Sequence, residues 1–246
     1  MTALMGLRAR LRLARTLVVV DARQDDLPSF SRDLFAAGAD IVVLRDPGAS
    51  VAALRAALDG VQRVAMPLNK LVAVTGDLEA ARAVMADVLV GDDDLDPGLA
   101  HGRLHEYALV GVPARSARDL PHLAESADVD FVLLGSEDVA GPEQGHELDL
   151  VRTAAHVMPV ADPQGTPWFA ACDPSGQRLP ALVVAGARRV ALTVATDADA
   201  ARLEQVGRLL RRAWQDDPAL EDFAFRVLSN PGPPARFRSP TEPTGW

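Results

Sequence analysis

Eight short apolar runs, rich in valine and leucine, recur along the chain, and Ala/Leu/Arg-rich stretches of helical period lie between them. Few folds accommodate that alternation. The runs are Thr16–Asp21 (TLVVVD), Asp40–Asp46 (DIVVLRD), Leu71–Thr75 (LVAVT), Asp87–Gly91 (DVLVG), Tyr107–Val112 (YALVGV), Val129–Gly135 (VDFVLLG), Pro167–Cys172 (PWFAAC) and Arg188–Val194 (RRVALTV). They are apolar at successive positions, so both faces of each strand are buried, as in a parallel sheet under helices. Helical patterns follow: one capped by Ser50 and ending near Gly60, one starting at Asp77, one capped by Ser175 and stopped by Gly186, and one from Asp197 to Trp214. Asp96 is placed as a helix N-cap with Pro97 in the first turn. Eight strand–helix units in roughly 200 residues predict a single (β/α)8 TIM barrel. A doubly wound sheet is the next candidate, but no glycine-rich turn follows the first strand, where the chain reads VVVDARQDD.

Composition narrows the function classes. The formal charge of −9 argues against a nucleic-acid surface, which needs a basic face. Arginine carries the positive charge almost alone, because Lys70 is the single lysine. One cysteine, Cys172, permits no internal disulfide, and the expected compartment is the cytoplasm. Arg8, Arg10, Arg12 and Arg15 precede an apolar run cut short by Asp21, which predicts an amphipathic lead-in helix in place of a signal peptide. No stretch approaches the ~20 apolar residues of a membrane span. The barrel is expected over 1–214. An extension over 215–246 is expected to be partly helical and then disordered, its end (PGPPARFRSPTEPTGW) being rich in proline.

Chemistry in such a barrel collects where strands end. Those positions hold Asp21, Arg45 with Asp46, Thr75-Gly76-Asp77, Asp92-Asp93-Asp94, Pro113-Ala114-Arg115, Ser136-Glu137-Asp138, Cys172-Asp173 and Thr196-Asp197. The mouth is therefore mostly carboxylate, which suits a cation or a metal-bridged anion. Asp92, Asp94 and Asp96 have the first three spacings of a calcium loop, but Pro97 and Arg103 stand where glycine and glutamate are needed. His101 and His105 are four apart with no third ligand evident, so a surface helix explains them. Cys172 is read first as a small buried thiol.

Taken in order, several stretches resemble the thiamine-phosphate synthase/TenI family of high-GC bacteria. They are LRDP (Leu44–Pro47), VTGDLEAARAVMADVLVGDDDLDP (Val74–Pro97), GVPAR (Gly111–Arg115), VDFVLLGSEDVAGPEQGHELDLVR (Val129–Arg152), PWFAACDPSGQRLPAL (Pro167–Leu182) and AGARRVALTVATD (Ala185–Asp197). The resemblance implies a TIM barrel that joins a pyrimidine pyrophosphate to a thiazole phosphate with the help of Mg²⁺. It also makes a homodimer and a small-molecule ligand the expected partners.

The resemblance further implies which positions carry the work. Arg45 is the retained phosphate-binding residue, whereas the lysine two places on is Pro47. The family's Asn-Asp pair falls on Thr75 and Gly76, with Asp77 one place further along as a candidate metal ligand. The second metal-binding aspartate falls on Asp94 and is kept. A family serine falls on Pro113, and the lysine of the Ser136–Gly145 loop is absent. The two glycines that approach the thiazole phosphate fall on Cys172 and Asp173, and Val194 replaces a serine or arginine. Packing residues survive while ligand residues are lost. The expectation is a pseudoenzyme or repurposed ligand-binding paralogue. The alternatives are an active thiamine-phosphate synthase, or a metal-assisted enzyme using the acidic mouth.

Overall fold

A computed structural model describes residues 6–135 and 144–230. Eight parallel strands close into a barrel in chain order: β1 (Thr16–Asp21), β2 (Ile41–Arg45), β3 (Leu71–Thr75), β4 (Val88–Val90), β5 (Leu109–Ala114), β6 (Phe131–Leu134), β7 (Trp168–Ala171) and β8 (Val190–Thr193). β8 pairs with β1 from Thr16↔Val190 to Val19↔Thr193, which closes the ring. The helices are α1 (Leu7–Leu13), α2 (Leu27–Ala37), α3 (Val51–Ala65), α4 (Leu78–Ala83), α5 (Pro97–Arg103), α6 (Leu120–Glu125), α7 (Gln144–Val157), α8 (Leu179–Val184), α9 (Asp197–Gln215) and α10 (Phe223–Ser229). The architecture is the (β/α)8 barrel that the alternating pattern predicts.

Strand alternation divides the apolar side chains into two layers. Val18, Val20, Val42, Leu44, Val72 and Val74 pack outward beneath the helices. Leu17, Val19, Ile41, Val43, Leu71 and Ala73 pack inward with Val88, Val90 and Leu109. Phe131 and Phe169 fill the centre edge to face, with centroids 6.1 Å apart. Gly111 makes room for them, since a Cβ there would lie 2.1 Å from the Phe131 ring. The arginine-rich lead-in is helical, as expected, and Leu11 and Ala14 close the bottom of the inner core.

Several ends match their sequence signals. Ser50 Oγ accepts from Ala53 N–H, Asp77 from Glu79 N–H, and Asp96 from Gly98 and Leu99 N–H. Two expectations are corrected. α3 does not end near Gly60 but runs to Ala65, because Val61 and Ala65 continue its buried face. Gly60 instead lets α2 approach closely, a Cβ there lying 3.2 Å from Pro28. Ser175 does not cap α8, whose first turn begins at Leu179; its hydroxyl donates to Asp173. Beyond α9 a short 3-10 turn (Pro218–Leu220) leads into α10, and Leu220, Phe223 and Val227 pack on Ala9 of α1. The expectation of disorder at the C-terminus falls on 231–246, and the mouth position Ser136-Glu137-Asp138 lies, like it, outside the described residues. No helix among the described residues is long and apolar enough to cross a membrane.

Candidate active site at the barrel mouth

The inward positions above the apolar core are polar. Alternation from Leu17 and Val19 brings Asp21 to the inner side, and alternation from Ile41 and Val43 brings Arg45 beside it. The two residues are register partners. Arg23 grips Asp21 with two hydrogen bonds, Nε to Oδ1 at 3.1 Å and Nη2 to Oδ2 at 3.0 Å. That pairing holds the Asp21 carboxyl below its ordinary range, and the field of Arg45 adds to the effect. Arg23 Nε also lies 3.7 Å from Asp46, whose other oxygen accepts from Gly48 N–H. Arg45 is thus placed at the mouth as predicted. Arg23 was missed, although Asp-x-Arg at a strand end is a readable short-range pair.

The corner on the other side of β1, at the ends of β7 and β8, is acidic at Asp173. Cys172 packs with the outer layer under the helices. Its thiol therefore lies away from the mouth, a correction to its expected ligand contact that follows from strand period. Burial, and then the charges of Asp173 and Glu147, push the thiol up to about 12. Asp173 falls on the inner side by the same alternation and follows the pairing of Ala171 with Ala191. One of its oxygens accepts from Ser175, while Oδ2 is buried without a hydrogen-bond partner among the described residues. Thr193 Oγ1, on the adjoining strand, is in the same condition. TIM barrels often bind phosphate after strands 7 and 8. Here the nearby N-terminus of α9 is occupied by its own capping box, with Thr196 Oγ accepting from Asp199 N–H and the Asp199 carboxylate accepting from Thr196 N–H. Glu147 and Arg178 form an ion pair beneath this corner.

The acidic loop after β4 does not assemble a metal centre. Asp92, Asp93 and Asp94 are exposed, and Asp92 accepts from Asp94 N–H. Asp93 pairs with Arg115 at 2.9 Å. Asp77, the expected partner of Asp94, is committed to capping α4. Among the described residues no group of three or more His, Cys, Asp or Glu side chains is placed to hold a metal. Magnesium is commonly held by one or two carboxylates together with substrate phosphates, and the exposed Asp92, Asp93 and Asp94 are the carboxylates this loop would offer it. His101 and His105 also go separate ways, to Asp130 at 3.0 Å and to the Ala86 carbonyl at 3.0 Å.

Beside this loop a cavity of about 520 Å³ opens, lined by Asp93, Leu95, Arg115, Arg118 and His122 over Val112. Its size is that of a small-molecule pocket.

The closed ring of eight parallel strands with helices between them defines the molecule as a (β/α)8 barrel protein. The chain belongs to the thiamine monophosphate synthase family, whose family model matches residues 16–196. It is 31% identical over 217 residues to a thiamine-phosphate synthase of Acidothermus cellulolyticus, covering 84% of this chain and 100% of that one. It is 35% identical over 213 residues to the thiamine-phosphate synthase of Mycolicibacterium smegmatis, covering 78% of this chain and 90% of the relative. In fold it is similar to a thiamine phosphate pyrophosphorylase from Pyrococcus furiosus, with a TM-score of 0.63 at 16% identity over 85% of this chain and 99% of that one.

Proposed function

We propose that this barrel works in thiamine-phosphate synthesis, with a pyrimidine pyrophosphate and a thiazole phosphate meeting at its mouth. The observation that carries this is the match to synthases along essentially their whole length, at 31% identity over 100% of one relative. Departure of pyrophosphate demands positive charge held in place before the bond breaks. This chain offers arginines for that: Arg45 at the end of β2, Arg23 beside it and Arg115 after β5. Magnesium held by Asp94 and its neighbours together with the pyrophosphate would add further positive charge there. Small-molecule partners, a homodimer and a cytoplasmic location are part of the same proposal.

A binding-only role, in which the barrel is a pseudoenzyme, is favoured by one specific observation. The family resemblance puts a phosphate at the β7–β8 corner, where this chain carries the Asp173 carboxylate with one oxygen unpaired among the described residues, and like charges there repel.

Two measurements separate these roles. Growth of a thiamine auxotroph lacking its synthase, restored by this chain and lost on Arg45→Ala, is the outcome expected of a synthase. Calorimetry with each precursor, with and without Mg²⁺, completes the test. Heat with a precursor but no growth assigns the binding-only role. No growth and no heat overturns both.

A further inference from the structure

The face of the barrel opposite the mouth carries a second cavity, of about 220 Å³, beneath the N-terminal ends of β6 and β7. TIM barrels do their chemistry at the other face, so a polar cavity here is unexplained by the proposed function. α1 forms one wall. Arg8 and Arg12 lie one helical turn apart on it, and both line the cavity together with Ser126, Asp130 and Thr166.

The charges in this cavity are unbalanced. Asp130 is the only carboxylate among the residues lining it, and that group is already engaged by three donors. It pairs with Arg8 at 3.1 Å and with His101 at 3.0 Å, and accepts from Val110 N–H at 2.9 Å. Arg12 makes no ion pair of this kind, and the Asp162 and Asp130 carboxylates act on it only through their field. Its Nη2 makes one long contact, 3.4 Å, to the Gln164 carbonyl. Its Nη1 is buried with no acceptor among the described residues. A buried guanidinium donor without an acceptor is costly, and an oxyanion in the cavity supplies what is missing. Arginine's planar fork suits the oxygens of phosphate-like anions.

We infer that this cavity is a binding site for a small tetrahedral oxyanion, held by Arg12 with Arg8 beside it. The space suits inorganic phosphate or the phosphate end of a short ester, being smaller than the roughly 300 Å³ at which drug-sized pockets begin. Binding there ties α1 to the loop before β7. The same helix supplies Leu11 to the inner core and the Arg12 and Ala14 carbonyls that hold Arg189. An occupied site therefore stabilises the barrel floor.

Calorimetry of the full chain with inorganic phosphate, at ionic strength fixed by sodium chloride, tests this directly. Saturable binding of one phosphate per chain is expected, with a rise in melting temperature that chloride does not reproduce. Arg12→Met is expected to weaken binding by about tenfold or more, and Arg12→Lys by less. The component of binding that Arg12→Met removes is expected to survive Arg45→Ala, which acts on the mouth alone. If Arg12→Met does not fold by circular dichroism, Thr166→Val carries the test and is expected to weaken binding. Binding that never saturates, that Arg12→Met leaves whole, or whose Arg12-dependent component is lost on Arg45→Ala overturns the proposal. A short phosphomonoester titrated alongside tells the two sources apart: tighter binding than inorganic phosphate assigns the ester.

Discussion

Cys172 illustrates what one residue's place in a strand decides. It stands at the mouth in sequence, yet strand period turns its thiol into the layer under the helices. Its thiol is pushed up to about 12 from an ordinary value near 9. The thiolate is the reactive form, so the folded protein is expected to resist Ellman's reagent at pH 8 and to react once unfolded in urea. The linkage has a definite sign. A proton held more tightly when folded adds stability that is complete below about pH 9 and is lost as pH rises towards 12. Urea midpoints measured from pH 8 upwards are expected to fall for the native chain and to fall less for Cys172→Ala. The sequence also made Asp96 a cap and Arg45 a mouth residue, and both are so placed, because local spacing governs them. It could not show that Asp77 would be consumed by its own helix or that Arg23 would reach two carboxylates.

Strands and helices were the most legible elements, because each buries a face whose period is written in the chain. α9 is the clearest, with acids in its first turn, Thr196 capping it and a buried stripe of Leu203, Val206, Gly207 and Leu210. Less legible was how neighbouring elements interlock. Gly111 of β5 exists for a ring on β6: Phe131 is fully buried and fixed edge-on against Phe169. Gly111→Ala drives a methyl to 2.1 Å from that ring. Overpacking of this kind is expected to cost about 1–3 kcal/mol, read from the urea midpoint. Gly102→Ala in α5 is the contrast, since nothing lies within 4 Å of the added carbon. It is expected to gain up to about 1 kcal/mol through helix propensity. The premature stop assigned at Gly60 fails for the same reason as Gly111 hides its role. A glycine read alone signals a break, whereas here it permits a close approach to Pro28.

At the scale of the whole molecule, the two ends of the described chain meet beneath the barrel. Arg189 is buried, 2% exposed, and bonds the Ala14 and Arg12 carbonyls at the end of α1. Trp214 lies between Arg189 and Arg15, 5.5 and 4.8 Å from its ring, and packs edge-on against Phe223 of α10. Cation–π contact and carbonyl bonds offset the burial of this guanidinium. Phe223→Ala is expected to destabilise the fold by about 3 kcal/mol or more, with a change in tryptophan emission before the main unfolding transition. Nothing in the sequence Arg188-Arg189-Val190 signals such an anchor, since it joins residues 175 apart. The sequence by itself determined the barrel, its strand order and the polar ring at its mouth, because periodicity and chain order suffice for these. Only the tertiary structure decided which of those polar groups remain available. It spends Asp77 on a cap, turns Cys172 outward and leaves Arg12 Nη1 without an acceptor among the described residues, in a cavity on the far face. Charge partners are set by distance in space, which spacing along the chain does not encode.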